Sequence, residues 1–226
     1  MANIAGKVFR VVGPVVEIEE VSSLRMLDMV AVGEQHLIGE VVHLKGEYAY
    51  VQVYEDTTSI KAGDLVYSEG YPLYVELAPG LLGNIYDGIQ RPLEVIRDKQ
   101  GVYISRGVGV APLDLGKKWH FKPVLSAGDT VGAGAILGEV QETALTVHKI
   151  LVPPDVSGKI KRINPEGDYT VVDTICVIET GGKEIEINMR QKWPVRKPRP
   201  YKEKLNLGEP LITGQRVIDT LFPIAK

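Results

Sequence analysis

One cysteine, Cys176, in 226 residues leaves no internal disulfide and no thiolate metal site, and fits a reducing cytoplasm. Long apolar runs are missing too: none approaches the roughly 18 residues that a membrane-crossing helix requires. The opening MANIAGKVFRVVG has no apolar signal-peptide core, so nothing in it directs export. Nor does one sign of charge dominate. The balance of 26 Lys and Arg against 29 Asp and Glu gives a formal charge of -3, which argues against a protein dedicated to nucleic acid. Helix starts are scarce, with one persuasive candidate near the end. What is present is an ordinary apolar content, 44% hydrophobic residues with 24% charged, enough to exclude disorder and to build one core or two. Scattered Gly (24) and Pro (14), with short runs of Val and Ile, predict many short strands punctuated by turns.

Along the chain, residues 1–70 read as a compact all-β unit. GKVFRVV and VVEIEE flank Gly13-Pro14, and the second alternates Val16 and Ile18 against Glu17 and Glu19. MLDMVAVG, HLIGEVVHLKG and YAYVQVYED follow, with the turn at 45–47 predicting a tight hairpin. About six short strands at this spacing suggest a small closed barrel, which removes exposed edges. Residues 71–113 are less regular; DGIQRPL reads as a defined loop held by apolar anchors at Leu81, Leu82, Ile85, Ile89 and Leu93. Residues 114–187 form a second β-rich unit, closed by a turn at Gly181-Gly182 and a strand over 184–189.

Residues 190–205, RQKWPVRKPRPYKEKL, are basic and carry prolines at 194, 198 and 200, which forbid helix and favour an extended path. They read as a solvated connector, or else as a basic docking strip for phosphate or an acidic partner. In the last segment, TGQRVIDTLFPIAK, Thr213 is the expected N-cap of a short helix that Pro223 ends.

The patterns that carry nucleotide or hydrolytic chemistry fail. The Gly-Lys pairs at 6, 116, 158 and 182 lack both the earlier glycine and the following Ser or Thr of a phosphate-binding loop. Gly107-Val-Gly109 and Gly132-Ala-Gly134 do not complete GxGxxG and are better explained as turns. Ser105 lacks the glycine before it that a nucleophile elbow needs. His36, His43, His120 and His148 have no metal-ligand spacing. No catalytic, cofactor-binding or metal-binding residue is assigned.

The second unit contains a repeat. GDTVGAGAILGEV starts at Gly128 and GDYTVVDTICVIE at Gly167, each with isoleucine eight residues on, at Ile136 and Ile175. Two similar halves predict a quasi-two-fold β-sandwich. The segment resembles a biotinyl or lipoyl carrier domain, whose hairpin tip bears the modified lysine. Here that position falls on Ala144, and Lys149 comes five residues late in an apolar strand context. The fold is therefore expected to be carrier-like and the function not, with a carrier or scaffold domain as the alternative. A nucleic-acid-binding barrel using the basic strip is a third reading.

GKVFRVVGPVV, LIGEVV, VQVYEDTTSIKAGDLV, VELAPGLLGNIYDGIQRPL, HKILVPPDVSGKI, ICVIET, QKWPVRKPRP and LITGQRVIDTLFPIAK together resemble the catalytic A subunit of archaeal- and vacuolar-type rotary ATPases, nearly end to end. That resemblance implies a mainly β chain: an N-terminal six-stranded barrel (1–70), the beginning of an α/β nucleotide-binding domain (71–113), an inserted barrel-sandwich-like bulge (114–187), and a return to the nucleotide-binding domain (188–226) that stops before the P-loop. It implies a parent protein that is an ion-translocating ATPase or ATP synthase using ATP or ADP with Mg, and a fragment that is structural, inactive and without cofactor. The implied partners are non-catalytic B subunits in an alternating hexameric ring, a central rotor and a peripheral stalk. There would be no nucleic acid and only indirect membrane contact, in the cytoplasm. A hinge is expected at 190–200, stiffened by its prolines.

Overall fold

The computed structural model describes residues 3–199, 201, 203, 206 and 208–226, with only the backbone described at Glu69. Six strands open the chain: β1 (Asn3–Val12), β2 (Val15–Glu19), β3 (Asp28–Val32), β4 (Leu37–Lys45), β5 (Tyr48–Val53) and β6 (Leu65–Pro72). They close into an antiparallel barrel in the order β1-β2-β5-β4-β3-β6. Period-two alternation puts Val16, Ile18, Val30, Val32, Val41, Val51 and Val66 inside. Burying each such side chain contributes roughly 1.5–3 kcal/mol. A bend is needed where strands cross a small barrel, and bulges in β1 and β4 supply it. Gly39 sits at such a crossing: a Cβ there would lie 2.7 Å from Val51 and 2.9 Å from the Gln52 carbonyl. The β4–β5 hairpin has the expected two-residue loop, with Gly46 at φ 60.

After the barrel come β7 (Tyr74–Leu77), α1 (Leu93–Gln100), and then eight strands: β8 (Lys118–Pro123), β9 (Thr130–Val131), β10 (Ile136–Gln141), β11 (Val147–Leu151), β12 (Gly158–Ile163), β13 (Gly167–Thr170), β14 (Thr174–Thr180) and β15 (Lys183–Asn188). They form two four-stranded sheets, β11-β10-β8-β13 and β15-β14-β12-β9. Adding four to each of β8 to β11 turns the first sheet's β8, β10 and β11 into the second sheet's β12, β14 and β15. The short strands β9 and β13 trade places between sheets. This is the quasi-two-fold arrangement that the repeat predicts. Phe121, Leu137, Ile160, Ile175 and Ile178 fill its core, each at 0–1% exposure. Gly138 leaves the room that the Phe121 ring occupies, since a Cβ there would stand 2.3 Å from it.

The chain then returns as β16 (Gln191–Pro194), which pairs antiparallel with β7, and ends in β17 (Pro210–Leu211), α2 (Arg216–Leu221) and β18 (Ile224–Ala225). No residue of α2 is buried.

Four expectations need correction. Helix α1 lies in a stretch expected to be irregular. Its signals were a proline at the N-cap, Glu94 in the first turn and Gly101 at the C-cap. Leu82 and Ile85 are not anchors, being 51% and 64% exposed. Thr213 does not cap α2, whose N-cap is Gln215; the Asp219 carboxylate instead accepts the Thr213 and Gly214 amides and the Thr213 hydroxyl. The described part of the basic stretch, exposed at Lys192 and over 195–199, is more than a free connector, because several of its side chains are bonded to neighbouring elements, as set out below. Pro200 lies outside the described residues.

Candidate functional site

The densest polar structure lies where the barrel meets the layer of β7, the 85–92 loop and β16. In DGIQRPL each polar side chain is spent locally. Asp87 accepts the amides of Ile89 and Arg91 and the Arg91 Nε at 2.7 Å. Burial pushes its carboxyl up, but those hydrogen bonds and the Arg91 guanidinium outweigh it and hold the group below the usual carboxylate range. Arg91 also reaches back to the barrel, donating to Glu55 at 3.1 Å. The second oxygen of Glu55 takes the Gly107 amide. Gln90, held at φ 62, satisfies both backbone groups of Glu76 at 2.7 and 2.8 Å, as a neighbouring strand would.

The basic stretch is bonded to this layer residue by residue. Arg190 donates to both carboxylate oxygens of Glu76, which is 7% exposed. Trp193 is buried, and its indole N–H donates to the Lys197 carbonyl. Arg196 pairs with Glu40 of β4, a carboxylate only 4% exposed that also accepts the Tyr54 hydroxyl at 3.2 Å. Burial, and after it Glu40, push the Tyr54 phenol above its ordinary range. Arg199 stacks 4.4 Å over the Trp193 ring. Arg190 thus ties the stretch to β7 and Arg196 ties it to the barrel, while Trp193, Lys197 and Arg199 bond to one another.

A second tie joins the sandwich to the loop after β7. Glu142, at the base of the β10–β11 hairpin, accepts the Gly80 and Leu82 amides at 2.7 and 3.2 Å and holds His148 at 3.1 Å. Burial pushes its carboxyl up, yet the two amides and then His148 hold it below the usual range. The same hairpin tip carries Ala144 and the 97% exposed Leu145, so the carrier position lies on a tip without an amine. Lys149 follows on β11 and is exposed.

Elsewhere the chemistry-bearing residues stand apart. His36 and His43 lie against Tyr67 and Tyr50; His120 contacts Asp168 and Glu166 at the surface. Among the described residues no three of His, Cys, Asp and Glu gather to hold a metal. Cys176 is fully buried, and burial pushes its thiol up to about 11, so it stays protonated and inert. Gly107 occupies a turn at φ 67 with the Gln35 carbonyl pressed against it, and Gly134 a turn at φ 77, as the sequence suggested. Among the described helices none is long and apolar enough to cross a membrane. The site is thus a set of buried tie points between two β units.

Comparison with known proteins fits this architecture. The family model for the ATP synthase alpha/beta family, beta-barrel domain, matches residues 8–70, and that for the ATP synthase alpha/beta subunit barrel-sandwich domain matches residues 110–196. The chain is 57% identical over 226 residues to the A subunit of the A-type ATP synthase of Hyperthermus butylicus. It belongs to the ATP synthase alpha/beta family. Two further relatives, each likewise the A subunit of an A-type ATP synthase, come from Staphylothermus marinus, 51% identical over 224 residues, and Pyrococcus horikoshii, 53% identical over 222. The matches cover 99%, 99% and 98% of this chain but 38%, 37% and 23% of those proteins. The chain therefore spans well under half the length of its curated relatives.

Within this family chain, sequence reasoning found the loop at 87–91 and the repeat. It missed the roles of Glu40, Glu76 and Glu142. Their partners lie 156, 114 and 62 residues away, so no local spacing announces them.

Proposed function

We propose that this chain is the N-terminal, structural portion of the catalytic A subunit of an archaeal- or vacuolar-type rotary ATPase or ATP synthase. The observation that carries this reading is the match at 57% identity along 99% of the chain to the A subunit of an A-type ATP synthase. In this reading the six-stranded barrel joins non-catalytic B subunits in an alternating hexameric ring. The sandwich stands out from that ring toward the peripheral stalk, and the segments at 71–113 and 188–226 begin the nucleotide-binding domain. ATP or ADP with Mg, and ion transport, belong to the assembled machine at the membrane surface.

No phosphate-binding loop pattern occurs in the 226 residues, so the chain on its own is expected to be inactive. Calorimetric titration with Mg-ATP should give no saturable heat; binding at millimolar strength or tighter would place a phosphate site within these residues and sink the proposal. Light scattering of the chain mixed with the cognate B subunit tests the ring. A defined heterocomplex is expected, and two non-interacting species would count against the barrel's role.

A further inference from the structure

Among the described residues, the two sandwich sheets each end in a strand with no partner on its outer side: β11 in one, β15 in the other. A groove of about 410 Å³ lies between them. Its walls take residues 148–151 of β11 and 186–188 of β15 in unbroken succession, followed by 189–191 on the way into β16. Successive side chains of a strand point to opposite faces. A groove met by every residue in turn therefore runs along the strand edges, where unpaired backbone N–H and C=O groups lie, and not across a sheet face.

The groove is also positively charged. His148, Lys149, Arg190 and Arg199 line it, against the single acid Glu186, which already accepts the Thr174 hydroxyl at 3.0 Å. Glu76 orients Arg190, Glu142 orients His148, and stacking on Trp193 orients Arg199. Among the described residues, Lys149 and Arg199 have no carboxylate within ion-pair distance. A lysine on an edge strand is also how proteins discourage unwanted pairing. That account covers Lys149 alone. Arg199 comes from outside both edge strands, and bringing it to the same groove as Lys149 costs repulsion that an anionic occupant would relieve.

We propose that this groove receives an extended, carboxylate-bearing segment of a partner protein, which pairs its backbone with the β11 edge and sets its acids against Lys149 and Arg199. The mode is strand addition: backbone bonds give affinity, and alternate side chains give selectivity. The inference stands on the sandwich and the basic stretch packed beside it, and does not need the rotary reading.

The test uses the 226-residue chain, the blocked peptide Glu-Val-Glu-Val-Glu-Val, its Lys-Val counterpart, and inorganic phosphate, followed by amide chemical shifts. The acidic peptide should bind saturably, shift β11 and β15 amides, and weaken with added salt. Lys149→Glu and Arg199→Glu, both at exposed positions, should each weaken it about tenfold while leaving the remaining spectrum unchanged. The Lys-Val peptide should not bind. Absence of saturable binding, shifts confined to other strands, or indifference to both substitutions would overturn the proposal. So would phosphate reproducing the shifts while the peptide leaves the β11 edge untouched, which would make the groove a small-anion pocket.

Discussion

The barrel and the sandwich are both built from short antiparallel strands, yet they hold different amounts of buried charge. Glu17, Asp28, Glu40 and Thr57 are all buried in or beside the barrel, whereas the sandwich's buried carboxylate is that of Glu142, its side chain 4% exposed. Glu17 is held by Arg10 and Tyr50, and Glu40 by Arg196 from 156 residues further on. The barrel is thus bonded outward through its acids, while the sandwich joins the preceding segment through an apolar core that takes in Ala78 and Leu113, with Glu142 as its polar tie.

The largest effect that could break this contrast is at Phe121, fully buried at the sandwich centre. Phe121→Ala should cost about 3–5 kcal/mol. Hydrogen exchange should show protection lost from β8 to β15 and kept in β1 to β6, because the two cores are separate clusters. If barrel protection falls in step, the two units fold as one and the contrast fails.

Next in size is Arg196→Met, which strands the buried Glu40 carboxylate. About 1–3 kcal/mol should be lost in urea unfolding, with exchange faster in β4 and β16. An unchanged midpoint would mean that the barrel is not tied to its neighbour through this pair.

The sandwich tie should respond to pH locally. The Glu142 carboxyl is depressed in the folded chain, so its stabilising effect is fully present above the ordinary glutamate value of 4.5 and fades as pH falls through the lower folded value. Exchange at the Gly80 and Leu82 amides, measured against global unfolding, should accelerate over that acid range, and Glu142→Gln should remove the pH dependence. A flat profile in the parent chain would show that the tie does not depend on charge.

The smallest effect sharpens the comparison from the apolar side. Thr170 Oγ1 is buried beside the Asp173 carboxylate, which accepts the Thr170 amide at 2.7 Å, but makes no hydrogen bond of ordinary geometry among the described atoms; its repeat equivalent is Val131. Thr170→Val should leave stability unchanged or raise it by up to about 1 kcal/mol. A clear loss in thermal unfolding would mean that Asp173 holds the hydroxyl.

Much of this fold could be read locally. Alternation placed Val16 and Ile18 inside the barrel, and it placed Glu17 outside; Glu17 proved only 8% exposed because Tyr50 and Arg10 close over it. The repeat announced the sandwich, though not that β9 and β13 exchange sheets. Helix α1 escaped notice because eight residues with a single buried member, Ile96, present little periodicity. The basic stretch is largely solvated, as expected, but its partners Glu76 and Glu40 went unseen because composition records charge and not the carboxylates it meets.

By itself, the sequence determined where strands begin and turn, that two halves of the second unit share a pattern, and that the phosphate-binding-loop motif does not occur in these residues. Those properties depend on neighbours a few positions apart, on a fixed side-chain period, or on residue identity alone. Only the tertiary structure decided that Arg196 meets Glu40, that Glu142 caps the loop at 80–82, and that two strand edges enclose a basic groove. Such contacts join residues dozens to more than a hundred positions apart, and their energies exist only once the backbone has brought the partners together and removed the water between them.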